Sequence, residues 1–135
     1  MFYTGLAVIF IGASQAVNAL ALKYFGPLVA INNAGAFGIK GDSIFFGVLS
    51  VVAMAVFLYL MKDRLKNNRA DRIPVTLIIS GGLSNLIDRV VRHGVIDFVD
   101  FKIWPIFNVA DLLITIGLIW LVVCEIAKSA KRKMK

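Results

Sequence analysis

Two aspartates, Asp97 and Asp111, stand out in the stretch Val95–Asp111, VIDFVDFKIWPIFNVAD, fourteen positions apart. Asp97 sits in a segment with strand character. Asp111 opens the apolar run Leu112–Cys124, which only a membrane span or a deeply buried helix accommodates. A carboxylate at the mouth of such a run is costly to place and marks a functional site. Two carboxyls that share one proton form an acid/base pair able to activate water: the ionised member takes a proton, and the protonated member polarises a carbonyl. That chemistry needs no metal and no cofactor, and neither is expected. The competing reading is structural, with Asp97 a solvated loop residue and Asp111 a helix-start carboxylate favoured by the helix dipole.

The elements that must position this pair are membrane helices. Of the 135 residues, 59% are hydrophobic and 17% charged, and the mean hydropathy is +0.83. A soluble domain of this length is less apolar and more highly charged. The expected fold class is an all-α membrane protein, a single domain over 1–135. It is a four-transmembrane-helix bundle with a small extracytoplasmic β-like loop region and spans at about 2–22, 43–61, 73–92 and 106–126. The formal charge is +7, but ten of the fifteen Lys and Arg fall in two clusters flanking apolar runs, 62–72 and 128–135. That is the pattern of the positive-inside rule, and a basic tail also suits anionic lipid headgroups. No basic face is interleaved with aromatics as nucleic-acid binding needs.

Along the chain, the first run carries small residues for close packing and three polar positions, Ser14, Gln15 and Asn18, suited to interhelical hydrogen bonds. Leu28–Ile31 has the character of a short strand. Asn32-Asn33-Ala34-Gly35-Ala36-Phe37-Gly38 offers positive-φ positions and close backbone approach, or an ordinary turn. Ser43 is placed to cap the second span. Lys62–Arg72 is expected to be a cytoplasmic loop. In the third span Ser80, Gly81, Gly82 and Ser84 invite a neighbouring helix. Asn85 and Asp88 share a helical face, and Asp88 and Arg92 have ion-pair spacing. Val95–Phe101 is expected as an edge strand, with Asp97 on the face of Val95 and Val99. His93, the single histidine, makes no zinc site and is expected as an exposed loop residue. Cys124 is expected as a small apolar helix residue, and Trp104 and Trp120 as interfacial anchors. Asn108 and Asp111 lie on the first turn of the fourth span. An even number of spans with both basic clusters inside puts both termini in the cytoplasm, with Asn32/Asn33, Asp97 and Asp111 at the outer leaflet.

SGGLSNLIDR (80–89), VIDF (95–98) and FNVAD (107–111), with NNAGAFG upstream, resemble the lipoprotein signal peptidases, also called signal peptidase II. The likeness covers most of the chain. It implies an aspartyl endopeptidase of the bacterial cytoplasmic (inner) membrane that removes the signal peptide of a diacylglyceryl-modified prolipoprotein just before its lipid-bearing cysteine. It implies Asp97 and Asp111 as the catalytic pair. Asn32 or Asn33, Gly35, Asn85, Asp88, Arg89 and Asn108 would bind substrate or support the site. The implied partners are the prolipoprotein and membrane lipids, with the protein acting as a monomer. The pattern departs at Ser14 and Asn18, where members usually carry Asp and Lys, and at Ser84, where Gly is usual. A non-catalytic lipoprotein-binding paralogue, or a small four-span proton-coupled transporter, is the alternative.

Overall fold

The computed structural model describes residues 2–32, 42–103 and 105–133. Helices α1 (Phe2–Phe25), α2 (Ser43–Asn67), α3 (Arg72–Arg92) and α4 (Val109–Lys133) make up most of the protein. All four are long and apolar enough to cross a bilayer. Strands β1 (Ala30–Asn32) and β2 (Val95–Asp97) pair antiparallel, with Ala30 opposite Asp97, Ile31 opposite Ile96 and Asn32 opposite Val95. This is a multi-pass membrane protein with a small sheet at one end of the bundle.

The helix ends differ from the sequence reading for local reasons. Asp42, not Ser43, caps α2, its carboxylate accepting from the Ile44 N–H at 2.9 Å. Helix α2 also runs past Met61 to Asn67, so Lys62–Lys66 is helical rather than loop. Met, Lys, Arg and Leu are good helix formers, and cations suit a helix C-terminus. A 3-10 turn, Arg69–Asp71, leads into α3, with Pro74 in the first turn where no helical N–H is lost. Helix α3 ends at His93, an exposed residue in the left-handed region at φ 60°. Helix α4 starts at Val109, three residues later than expected, because Asn108 caps it. Trp104 lies outside the described residues.

Helix α3 is the central element, packed most extensively on α4, then α1, then α2. Its polarity is inverted relative to a soluble helix. Ser80, Ser84, Asn85 and Asp88 are buried, and so are Ser14 and Asn18 of α1, while Val8, Ile9, Val52 and Val123 are exposed. In lipid, apolar surface gains nothing by turning inward, and the polar side chains hold the helices together. The contact between α3 and α4 is close because two glycines permit it. A Cβ on Gly81 would clash with the Ala110 carbonyl, and one on Gly117 would lie 2.7 Å from the Pro74 carbonyl.

Candidate active site

Strand β2 is fully buried, so Asp97, 3% exposed, is not a solvated loop residue. Beyond it the expected strand to Phe101 breaks. The N–H groups of Phe98 and Val99 both donate to the Phe107 carbonyl, at 3.2 and 2.9 Å, and Phe107 N–H returns a bond to Val99 at 3.1 Å. Two residues facing one is a bulge-like arrangement that bends the chain. It ends the alternation that would have set Val99 on the face of Asp97. It also brings position 97 alongside the residues just before α4. Asp100 is turned outward and held by the Lys102 N–H at 2.7 Å.

Asn108 and Asp111 form a reciprocal cap on α4. The Asp111 N–H donates to Asn108 Oδ1 at 3.0 Å, and the Asn108 N–H donates to Asp111 Oδ2 at 3.2 Å. This is the capping-box pattern with Asn and Asp in its two positions. The amide nitrogen of Asn108 remains free to point away from the helix. It donates to Asp97 Oδ1 at 2.8 Å and to Asn85 Oδ1 at 3.1 Å. Asn85 Nδ2 donates to Asp111 Oδ1 at 2.8 Å, and Asn32 Nδ2 of β1 donates to Asp97 Oδ2 at 3.0 Å. Asp97, Asp111, Asn32, Asn85 and Asn108 therefore belong to one hydrogen-bonded network contributed by both strands, α3 and the start of α4. Asn33 and Gly35 lie outside the described residues.

Burial pushes the Asp97 carboxyl up to about 6, and the negative charge of Asp111 pushes in the same direction. The hydrogen bonds from Asn32 and Asn108 and the Arg89 cation oppose the rise. Arg89 is half-buried, with Nη1 3.5 Å from the Asn85 carbonyl oxygen. Two carboxyls bridged by one asparagine, one of them raised to about 6, have the arrangement that an acid/base pair acting on water requires.

Asp88 belongs to a second cluster. Fully buried, it accepts from Asn18 Nδ2 at 2.7 Å, Gln15 Nε2 at 3.1 Å, the Ile96 N–H at 3.4 Å and Arg92, with which it forms an ion pair. Arg92 also donates to Gln15 Oε1 at 2.8 Å. Asp88 thus fixes α1 and β2 against α3, and its bond from the Ile96 N–H places it one residue from Asp97. The interhelical bonding expected of Ser14, Gln15 and Asn18 is present, since Ser84 Oγ donates to Ser14 Oγ at 2.9 Å. The Val99–Phe107 bridge and the Ile96 link carry no sequence signal. Asn108 followed three residues later by an acid is a capping signal legible in the sequence.

A family model described as Signal peptidase (SPase) II matches residues 6–127. A lipoprotein signal peptidase of Shouchella clausii is 42% identical over 88 residues, covering 64% of this chain and 58% of its own length. The chain thus spans less than two thirds of that relative. A lipoprotein signal peptidase of Staphylococcus aureus is 32% identical over 109 residues, 77% of this chain and 67% of its own. A solved structure of a bacterial membrane enzyme superposes with a TM-score of 0.80 at 25% identity, covering 99% of this chain and 93% of that one. A second, also of a bacterial membrane enzyme, gives 0.74 at 26% identity, covering 91% of each.

Proposed function

The chain belongs to the signal peptidase II family, and on that premise we propose that it is an aspartyl endopeptidase of the bacterial cytoplasmic membrane. Its substrate is a prolipoprotein carrying a diacylglyceryl-modified cysteine, cut on the N-terminal side of that cysteine. The observation that carries this reading is Asn108, whose amide holds Asp97 while its Oδ1 and backbone N–H hold Asp111. One residue couples two carboxyls fourteen positions apart.

The pair carries one proton in the reactive state. The ionised member removes a proton from water as the water adds to the scissile carbonyl, and the protonated member donates to the developing oxyanion. The titration belongs to the pair, so neither aspartate is assigned as the base. Asn85 and Asn108 orient the carboxyls. Arg89, half-buried beside them, supplies positive charge for the substrate backbone or lipid headgroup. The apolar signal helix enters laterally between spans.

Topology follows from charge. Asp71 accepts from Arg64 of α2 at 3.1 Å and from Lys128 of α4 at 3.2 Å. Both basic clusters therefore meet at the end of the bundle away from the aspartates. By the positive-inside rule that end faces the cytoplasm, the termini lie there, and the aspartates lie at the outer leaflet. The proton-coupled transporter reading is disfavoured, because Asp111 sits in the first turn of α4 rather than midway along a span.

The purified chain is incubated with a lipidated prolipoprotein and with the same precursor lacking the lipid. The expected result is a mass loss equal to the signal peptide for the lipidated form alone. An unchanged lipidated precursor would reject the reading in favour of a non-catalytic lipoprotein-binding role.

A further inference from the structure

At the end of the bundle away from the aspartates lies a cavity of about 370 Å³ lined by Tyr3, Leu65, Lys66, Arg72, Val75 and Thr76. The first turn of α1, the last turns of α2 and the first turns of α3 form its walls. Two cations line it and no carboxylate does. Arg72 is held in place: its Nε donates to the Leu65 carbonyl at 3.1 Å, and its guanidinium carbon lies 5.8 Å from the centre of the Tyr3 ring.

Two other cations at this end are paired within the protein. Arg64 pairs with Asp71 and Glu125, and Lys128 with Asp71. Among the described residues, Arg72 and Lys66 have no carboxylate partner. A half-buried cation in a membrane protein is ordinarily paired. A guanidinium anchored through Nε keeps its terminal N–H groups for a two-pronged contact with an anion. The floor of the cavity is apolar, with Val75 5% exposed. Along the same two helices, Val8 and Ile9 of α1 and Val56, Tyr59 and Leu60 of α2 present apolar side chains outward. Cations alone would suit a free phosphate. Cations over an apolar floor, continuous with lipid-facing helices, suit a phosphodiester bearing acyl chains.

We propose that this cavity binds the headgroup of an anionic phospholipid, with Arg72 and Lys66 as its charge partners and the acyl chains lying along α1 and α2. The site is separate from the aspartate pair and needs only that the protein be embedded in a bilayer.

The test titrates the full chain, in neutral detergent, with phosphatidylglycerol, phosphatidylcholine or inorganic phosphate. Lipid retention is read by native mass spectrometry, and Tm in parallel. Phosphatidylglycerol is expected to bind about tenfold more tightly than phosphatidylcholine and to raise Tm, with inorganic phosphate doing neither. Arg72→Gln is expected to weaken phosphatidylglycerol binding about tenfold, and Lys66→Gln by a smaller factor. Arg69→Gln removes the same charge from an exposed residue outside the cavity and is expected to bind as the parent does. Because Lys66 is exposed, its variant reads binding without disturbing the fold. The proposal fails if Lys66→Gln binds like the parent, or if Arg69→Gln loses as much as Arg72→Gln. It also fails if phosphatidylcholine binds equally well, or if inorganic phosphate displaces the lipid at comparable concentration.

Discussion

Asn108 does two separable things. Its oxygen and backbone cap α4 against Asp111, and its amide nitrogen reaches Asp97 and Asn85. Asn108→Ser keeps a good N-cap but lacks the amide donor. It leaves the buried Asp97 and Asn85 acceptors one donor short, so Tm should fall modestly while kcat falls further. A hydrogen bond to a charged group contributes about 1.5–3 kcal/mol, or about ten- to a hundredfold in rate. Parent-like cleavage by Asn108→Ser, measured beside its Tm, would remove the bridge from the account. The raised carboxyl of Asp97 makes a further prediction. The folded state holds its proton up to about pH 6, whereas the unfolded chain releases it near the ordinary value of 3.8. The folded state thus binds more protons in that window, and stability falls as pH rises through it. Asp97→Asn should remain folded and flatten the dependence of Tm on pH between about 4 and 6. An unchanged slope would put the titrating group elsewhere. Asp97 and Asp111 were legible as chemistry because a carboxylate beside an apolar run is costly. Their junction was not, because it depends on Val99 pairing with Phe107, a backbone event that leaves no mark on residue type.

At the scale of elements, the site rests on the closeness of α3 to α4. Gly81 lies against the carbonyl of Ala110, the residue before Asp111. Alanine for glycine inside a helix ordinarily gains about 0.5–1 kcal/mol. Gly81→Ala should instead lower Tm and reduce cleavage by displacing the first turn of α4. Gly82→Ala, whose Cβ would meet only Met54 Sδ at 3.4 Å, should be neutral in both. Equal behaviour of the two variants would show that the close approach is not required. The sequence marked 80–84 as a packing stripe, but not which glycine the neighbour abuts, since that depends on helix rotation. The cluster around Asp88 is the counterpart on α1. Ser14 and Ser84, two positions at which this chain departs from the pattern it resembles, hydrogen-bond each other. Asn18, a third departure, donates to Asp88. Ser14 and Ser84 are thus adapted to each other, and Asn18 to Asp88. Arg92→Leu would strand the buried Asp88 and should cost about 2–3 kcal/mol, discounted because Arg92 is a quarter exposed. An unchanged denaturation midpoint would contradict that assignment.

Across the whole molecule, polarity and charge are segregated by depth. Much of the buried interior is polar, beside a few apolar side chains such as Val75, Leu77 and Leu121, many large apolar side chains are exposed, and the two ends carry different work. At one end Asp71, its side chain fully buried, joins α2, α3 and α4 through Arg64 and Lys128. At the other, the two-stranded sheet and the cap of α4 hold the carboxyl pair. The four spans were legible because long apolar runs have few alternatives, and their margins moved only where Asp42, Asn108 and the helix-forming residues 62–66 set the ends. The measurement that bears most directly on the central claim is the cleavage rate of lipidated prolipoprotein by Asp97→Asn, Asp111→Asn and the double variant, each checked for insertion and Tm. If the carboxyls act as one unit, each single variant loses cleavage by at least about a thousandfold, and the double variant is no slower than either. Near-normal processing by one of the single variants, or losses that simply multiply in the double, would contradict a shared-proton pair.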